Sequence, residues 1–93
     1  PAAIALAQNH PNPFNPKTTI SFALPVAGAV RLSVFEVSGR HVTTLLDGVQ
    51  SAGGHHVVWD GRDASGASLS SGVYFYRLEA AGARIERKML LLK

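Results

Sequence analysis

Residues 72–93 read GVYFYRLEAAGARIERKMLLLK, and this stretch decides the fold class. Residues 72–79 are predicted as a strand that begins at the turn signal Ser71-Gly72. A second predicted strand covers residues 84–92, and only residues 80–83 separate the two. Because so short a connection cannot carry the chain back to form a parallel pair, the stretch predicts an antiparallel hairpin.

The rest of the chain consists of short runs in which apolar residues recur at every second position. Turn signals separate these runs. We predict strands near residues 18–24, 29–37, 41–46, 54–60, 72–79 and 83–92, with a short extra strand around residues 4–7. Dipeptides that end in glycine, such as Asp47-Gly48 and Ser38-Gly39, mark the turns between the strands. No segment has the pattern of an amphipathic helix. Strands of this kind bury one face each when two sheets pack together. The sequence therefore predicts an all-β, immunoglobulin-like antiparallel β-sandwich of six or seven strands.

The last predicted strand departs from the alternation. Leu90, Leu91 and Leu92 make both of its faces apolar, and four of the nine basic residues lie in the last ten positions. An apolar strand of this kind is either covered on both faces or exposed for pairing with a partner. The plainer alternative is a central strand of the sheet.

Length and composition exclude several classes. A chain of 93 residues forms one domain at most. Its net charge of +3 is too small for a nucleic-acid surface, and no apolar run is long enough to span or insert into a membrane. The chain has no cysteine, so it has no disulfide and no thiolate site.

The N-terminal part has a different character, because all five prolines lie within residues 1–25. The run NHPNPFNP, residues 9–16, predicts an ordered turn anchored by Phe14. The preceding residues lack the basic start and the sustained apolar run of a secretory signal. We therefore expect residues 1–8 to be the end of a linker from an upstream domain and residues 9–93 to be the folded domain.

Two groups of polar residues are candidates for a metal site. The four histidines, His10, His41, His55 and His56, have no spacing typical of ligands, and the adjacent pair points to opposite faces of a strand. Asp60 and Asp63 lie in the glycine-rich loop WDGRDASG and are weak calcium candidates. Aspartates in such loops more often bind backbone amides of their own turn, so we expect no metal and no cofactor.

The sequence offers no arrangement of residues typical of catalysis, so we expect no enzyme. Four aromatic residues, Trp59, Tyr74, Phe75 and Tyr76, could form a platform for stacking on sugars. Aromatic residues at strand spacing more often fill the space between sheets. A carbohydrate-binding module nevertheless remains an alternative function.

Four segments together resemble a known family: NHPNPFNPKTTISFALP (9–25), VRLSVFEVSGRHVTTLL (30–46), WDGRDASGASLSSGVYFYRL (59–78) and RKMLLLK (87–93). In this order they resemble the C-terminal sorting domain of proteins exported by the type IX secretion system of Bacteroidetes and their relatives. The resemblance covers residues from about 6 to 93. The third segment also resembles the immunoglobulin-like domain of the flagellar hook-capping protein.

The resemblance implies a non-catalytic sorting domain that directs an upstream secreted enzyme or adhesin through the outer-membrane translocon. The cargo would cross the periplasm and end as a secreted or cell-surface protein, and the partners would be the translocon and the surface-attachment machinery. Carried over by position, the recognition residues are Gly72, Tyr74, Lys88, Met89, Leu90, Leu91, Leu92 and Lys93.

The apolar, basic-flanked end also leads to a hypothesis about mechanism. A partner strand would add to the edge of the last strand through backbone hydrogen bonds, and a dimer could form through the same edge. The alternatives from other classes are the carbohydrate-binding module, a structural spacer, and a hook-capping domain in which the terminal strand has no special role.

Overall fold

The computed structural model describes residues 3–93, which form seven strands in two antiparallel sheets. The first sheet has the order β1-β2-β5 and the second the order β4-β3-β6-β7. The bounds are β1 Ala5–Leu6, β2 Thr18–Leu24, β3 Gly28–Glu36, β4 His41–Gln50, β5 Gly53–Trp59, β6 Gly72–Ala80 and β7 Ala83–Leu91. These sheets confirm the predicted β-sandwich. Over residues 3–93, no helix is long and apolar enough to cross a membrane.

The core lies between the two sheets and follows directly from the alternation in the sequence. Along β2, every second residue is buried, from Thr18 to Leu24. Along β6, Tyr74, Tyr76 and Leu78 are buried while the residues between them are only half-buried. Since successive strand residues point to opposite faces, these positions alone can meet across the sandwich.

The predicted hairpin of the last two strands and the predicted turn at Ser38-Gly39 are confirmed, and the predicted turn at Asp47-Gly48 is wrong. The β6–β7 pair runs from Gly72 opposite Leu91 to Ala80 opposite Ala83, and β3 pairs with β4 across residues 37–40. The predicted turn at Asp47-Gly48 lies inside β4, which continues to Gln50. Asp47 is paired there with Arg31, and register shifts along β3–β4 accommodate the extra residues of the longer strand.

Strand β1 lies inside the segment predicted as a linker. Ala5 and Leu6 pair with Ala23 and Phe22 of β2, and the Leu6 side chain is buried in the core. The short extra strand expected around residues 4–7 is therefore confirmed. Residues 1–2 of the predicted linker lie outside the described part of the chain, and the domain boundary at residue 8 stays a prediction.

Strand β7 is an edge strand, so the alternative of a central position is wrong. It pairs with β6 on one side and has no full strand on the other. Its apolar character has a different cause, because its end is covered by the N-terminal part of the chain.

This cover is formed by residues 8–14, which we call the N-terminal strap. The Gln8 side-chain amide donates to the Lys88 carbonyl at 2.7 Å, and the Leu90 amide donates to Asn12 Oδ1 at 2.9 Å. Phe14 then forms a parallel bridge in which its amide donates to the Leu90 carbonyl and its carbonyl accepts from the Leu92 amide, both at 3.0 Å. The Phe14 ring is buried, so the predicted anchor is confirmed.

Candidate recognition surface on the last strand

The terminal segment divides into two groups of residues according to the face on which each lies. Met89 and Leu91 are 1% and 0% exposed and belong to the core. Lys88 is exposed and Leu90 half-buried on the opposite face of the sheet, and Leu92, which follows the strand, is 46% exposed. The terminal Lys93 is exposed as well. Side chains on one face of this strand therefore belong to the core, and those on the other face lie at the surface.

The two predicted recognition residues on β6 are structural neighbours of the core. Tyr74 is buried, its hydroxyl donates to the Ser70 carbonyl at 2.7 Å, and its ring meets that of Trp59 with centroids 6.1 Å apart. Gly72 begins β6 opposite Leu91, as expected for a residue that starts the strand. Of the eight predicted residues, Tyr74, Met89 and Leu91 thus present no side chain to a partner.

The edge-addition hypothesis meets an obstacle in the N-terminal strap. Four backbone groups that an added strand or a second copy would need are already hydrogen-bonded to residues 8–14: the Lys88 carbonyl, the Leu90 amide and carbonyl, and the Leu92 amide. Addition of a strand at this edge would therefore require displacement of Phe14 from the core. What the terminal segment offers without rearrangement is its outward side chains.

These outward side chains continue a band of apolar residues across the second sheet. The register places Phe35 opposite Phe75, which lies opposite Lys88, and in the next row Val73 lies opposite Leu90. Val37 directly follows β3 at the same end of the sheet. We call this group the outer-face patch, and it consists of Phe35, Val37, Val73, Phe75 and Leu90.

Sequence reasoning missed the β3 side of this patch. The alternation along β3 indicates it, because Val30, Leu32 and Val34 are buried. Phe35, the next residue, must therefore lie on the outer face of the sheet. What the sequence alone did not supply was the pairing of β3 with β6, two strands far apart in the chain.

The charges around the patch are unevenly paired. Arg77 bonds Glu86 at 2.8 Å and stacks over the Phe35 ring at 4.3 Å, and Arg40 bonds Glu36 at 3.1 Å. Throughout residues 3–93, neither Lys88 nor Lys93 has a carboxylate within 4.0 Å. The patch is therefore bordered by two neutralised pairs and two uncompensated lysines.

The loop with the calcium candidates is organised by its own hydrogen bonds. Asp63 Oδ1 accepts from the Ser65 amide, the Ser65 hydroxyl and the Ala67 amide, at 2.6–3.0 Å. These bonds, led by that of the Ser65 hydroxyl, lower the pKa of Asp63 below its ordinary value. Asp60 accepts from the Arg62 amide at 3.2 Å. The prediction that these aspartates bind backbone amides of their own turn is thus confirmed. In the described part of the chain, no three metal-ligating side chains cluster.

The same loop packs against the end of β7 at Leu91. Gly61 has a φ of 75°, and a methyl group at this position would stand 3.1 Å from the Pro16 carbonyl oxygen and 3.7 Å from Leu91. Trp59 fixes the loop through a bond from its indole Nε1 to the Arg62 carbonyl at 3.0 Å. Glycine is required here because of both the left-handed backbone and the close approach.

The four aromatic residues considered for sugar binding do not form one platform. Trp59, Tyr74 and Tyr76 are buried between the sheets, and Phe75 lies alone on the outer face of β6. The histidines are also dispersed: His55 stacks on Phe22, and the His56 ring shares a hydrogen bond with Ser21. The alternative in which these four rings form one stacking surface is therefore wrong.

Comparison with known proteins places this geometry in a family. The FlgD Ig-like domain family matches residues 12–84, which is most of the chain. Among solved structures, FlgD from P. aeruginosa is similar with 28% identity and a TM-score of 0.63, over 81% of this chain and 60% of that chain. No curated protein matches the sequence.

Two structures from Porphyromonas gingivalis share the fold at lower identity. Dimeric latent PorU is 20% identical with a TM-score of 0.76, over 99% of this chain and 10% of that chain. PorZ, described as an essential bacterial surface component of the type-IX secretion system, is 20% identical with a TM-score of 0.61, over 97% of this chain and 11% of that chain. The chain thus spans 60% of FlgD and about a tenth of these two larger proteins. By its sequence match and its fold, the chain belongs to the FlgD Ig-like domain family.

Proposed function

We propose that this domain is a non-catalytic sorting domain that directs an upstream protein through a type IX secretion system to the cell surface. The observation that carries the proposal is the terminal segment, residues 85–93, which lies beyond the family match yet is built into the sandwich as most of β7. This segment holds the KMLLLK run that resembles the sorting family. The shared fold of PorZ, a component of that secretion system, supports the same direction.

In this proposal the domain works as a folded address. The core residues Met89 and Leu91 hold the last strand in register, and the strap holds its edge. Lys88, Leu90, Leu92 and Lys93 then present one defined constellation to the translocon. The partners would be the translocon, the surface-attachment machinery and a cargo enzyme or adhesin on the N-terminal side, and the location would be the outer cell surface, reached through the periplasm.

A reporter fusion tests the proposal. Residues 1–93 are placed after a monomeric reporter that is delivered to the periplasm of a bacterium with a type IX system, and surface exposure is measured on intact cells by added protease. The matched control carries the Ig-like domain of P. aeruginosa FlgD, which has the same fold, at the same place. We expect exposure of the first reporter only; retention of both in the periplasm would contradict the proposal.

The second candidate is a structural module like the Ig-like domain of FlgD, and the family match favours it. In that role the surface lysines of the terminal segment would have no partner. Equal behaviour of the two fusions would favour this structural role over sorting.

A further inference from the structure

The outer-face patch is the strongest unassigned feature of the molecule. Val37 is 65% exposed and Val73 40% exposed, and both lie beside the half-buried rings of Phe35 and Phe75. Of the other exposed large apolar residues, Leu92 follows Leu90 in the terminal segment, whereas Val26 lies between β2 and β3, and Val49 and Val58 lie on β4 and β5. Isolated exposed apolar residues are ordinary, but a contiguous group that includes aromatic rings is typical of an interaction site.

The patch and the terminal segment form one surface. Leu90 is a member of the patch, Lys88 lies directly opposite Phe75, and the Lys93 amide bonds the hydroxyl of Ser71, beside the start of β6. The rows of the sheet change character away from this end. The next rows hold Arg77 with Glu86 and then Glu79 opposite Arg84. Along β6 and β7, apolar character on the outer face is therefore confined to the end of the sheet near Gly72 and Leu91.

The charge pattern indicates the chemistry of a partner. Glu36 and Glu86, the acidic groups nearest the patch, are engaged by Arg40 and Arg77, so the uncompensated charge at the border comes from Lys88 and Lys93. A complementary surface has an apolar centre and carboxylates at the positions of these lysines. Two lysines are fewer than the roughly four to eight basic residues typical of binding to anionic lipid. Two copies packed face to face would bring like charges together.

We propose that the folded domain is recognised through the outer-face patch, by a protein surface with an apolar centre bordered by carboxylates. The proposal rests on the sorting function proposed above and deepens it. It moves recognition from the backbone edge of the last strand, which the strap occupies, to the outer face of the four-stranded sheet. It also adds four residues that lie outside the recognition residues implied by the resemblance: Phe35, Val37, Val73 and Phe75.

Four single variants of the reporter fusion test this surface. Val73→Asp and Lys88→Glu change the patch and its border. Val58→Asp changes a residue of similar character, 63% exposed on β5, and Arg84→Glu reverses an exposed charge on β7 outside the patch. We expect export to fall by ~tenfold or more for the first two, as for loss of an interface hot spot, and to change less than ~twofold for the controls. Thermal unfolding checks that each variant is folded. Lys88→Gln, which should give a smaller loss, replaces either patch variant that is not folded.

The outcomes separate the two proposals. Normal export of the parent together with normal export of both patch variants would overturn the patch and leave sorting intact. Failure of the parent to reach the surface would overturn sorting and, with it, this inference. Binding of the purified domain to vesicles of phosphatidylglycerol and phosphatidylcholine that Lys88→Glu abolishes would assign the patch to a membrane instead. A dimer in sedimentation that Val73→Asp dissociates would assign it to a second copy.

Discussion

Tyr76 joins the N-terminal segment to the second sheet through a single hydroxyl. Its side chain is fully buried, the hydroxyl accepts from the Asn9 amide at 2.8 Å, and it donates to the Ala7 carbonyl at 2.7 Å. Burial raises the pKa of this phenol above 10.0, although the Asn9 amide and the charge of Arg87 act in the opposite direction. One residue of the β6 motif thus positions the chain that leads into the strap.

Replacement of Tyr76 by Phe should lower the free energy of unfolding by about 1–3 kcal/mol at neutral pH, because two backbone groups lose their partner. The folded-state pKa is raised, so the contribution of the protonated phenol is fully present below about pH 10 and is lost as the pH rises through the folded-state pKa. Urea unfolding at pH 7 and at alkaline pH measures both effects. A constant difference between parent and variant across this range would contradict the assignment.

A second residue-scale prediction concerns Gly61, the contact between the loop, the Pro16 carbonyl and Leu91. Gly61→Ala should cost about 1–3 kcal/mol of unfolding free energy because of the strained backbone and the crowded methyl group. Gly54→Ala is the matched control, since a methyl group there has open space and no left-handed φ. Equal midpoints of denaturation for the two variants would show that the close approach at Gly61 is not real.

At the scale of elements, β7 and the strap stabilise each other. The strap supplies Phe14 to the core and hydrogen bonds to the outer edge of residues 88–92, and β7 supplies Met89 and Leu91 to the same core. An edge strand is thus covered by an irregular segment rather than by another strand, which is one of the ways in which proteins protect sheet edges.

Hydrogen exchange measures this cover directly. We predict slow exchange at the amides of Leu90 and Leu92, which bond Asn12 and Phe14, and faster exchange at Glu86, whose amide faces the same edge beyond the strap. Asn12→Ala should accelerate exchange at Leu90 while Leu92 stays protected. Fast exchange at both leucines in the parent would mean that the strap does not occupy the edge.

Removal of residues 88–93 should unfold the domain. Met89 and Leu91 are core residues, and loss of a buried Met or Leu side chain costs about 2–5 kcal/mol each, against a total stability of about 5–15 kcal/mol for a typical domain. Such a truncation therefore cannot separate recognition from folding. The double variant Leu92→Ser with Lys93→Glu changes only exposed side chains and should stay folded in circular dichroism. An unchanged melting curve of the truncated chain would contradict the role of Met89 and Leu91 in the core.

The sequence predicted elements with strong local patterns and failed where distant contacts decide. The bounds of β2 were predicted residue by residue, because alternation and flanking prolines coincide there. The turn at Asp47-Gly48 was wrong because pairing with β3 carries the strand through it. The strap could not be predicted, since Asn12 meets Leu90 from across nearly the whole chain, and without it the edge of β7 appeared free.

At the scale of the molecule, structural and exposed features are divided between the faces of two sheets. The inner faces build one core, the outer face of the first sheet has few large apolar groups, and the second sheet carries the patch and the uncompensated lysines at one end. The family match supplies the fold but leaves residues 85–93 unmatched, and these residues connect the core to the patch.

The most direct measurement is surface display of the reporter fusion in a bacterium with a type IX secretion system and in an otherwise identical strain without its translocon. The sorting proposal predicts that added protease degrades the reporter on intact cells of the first strain and leaves it protected in the second. Equal accessibility in both strains, or protection in both, would contradict it.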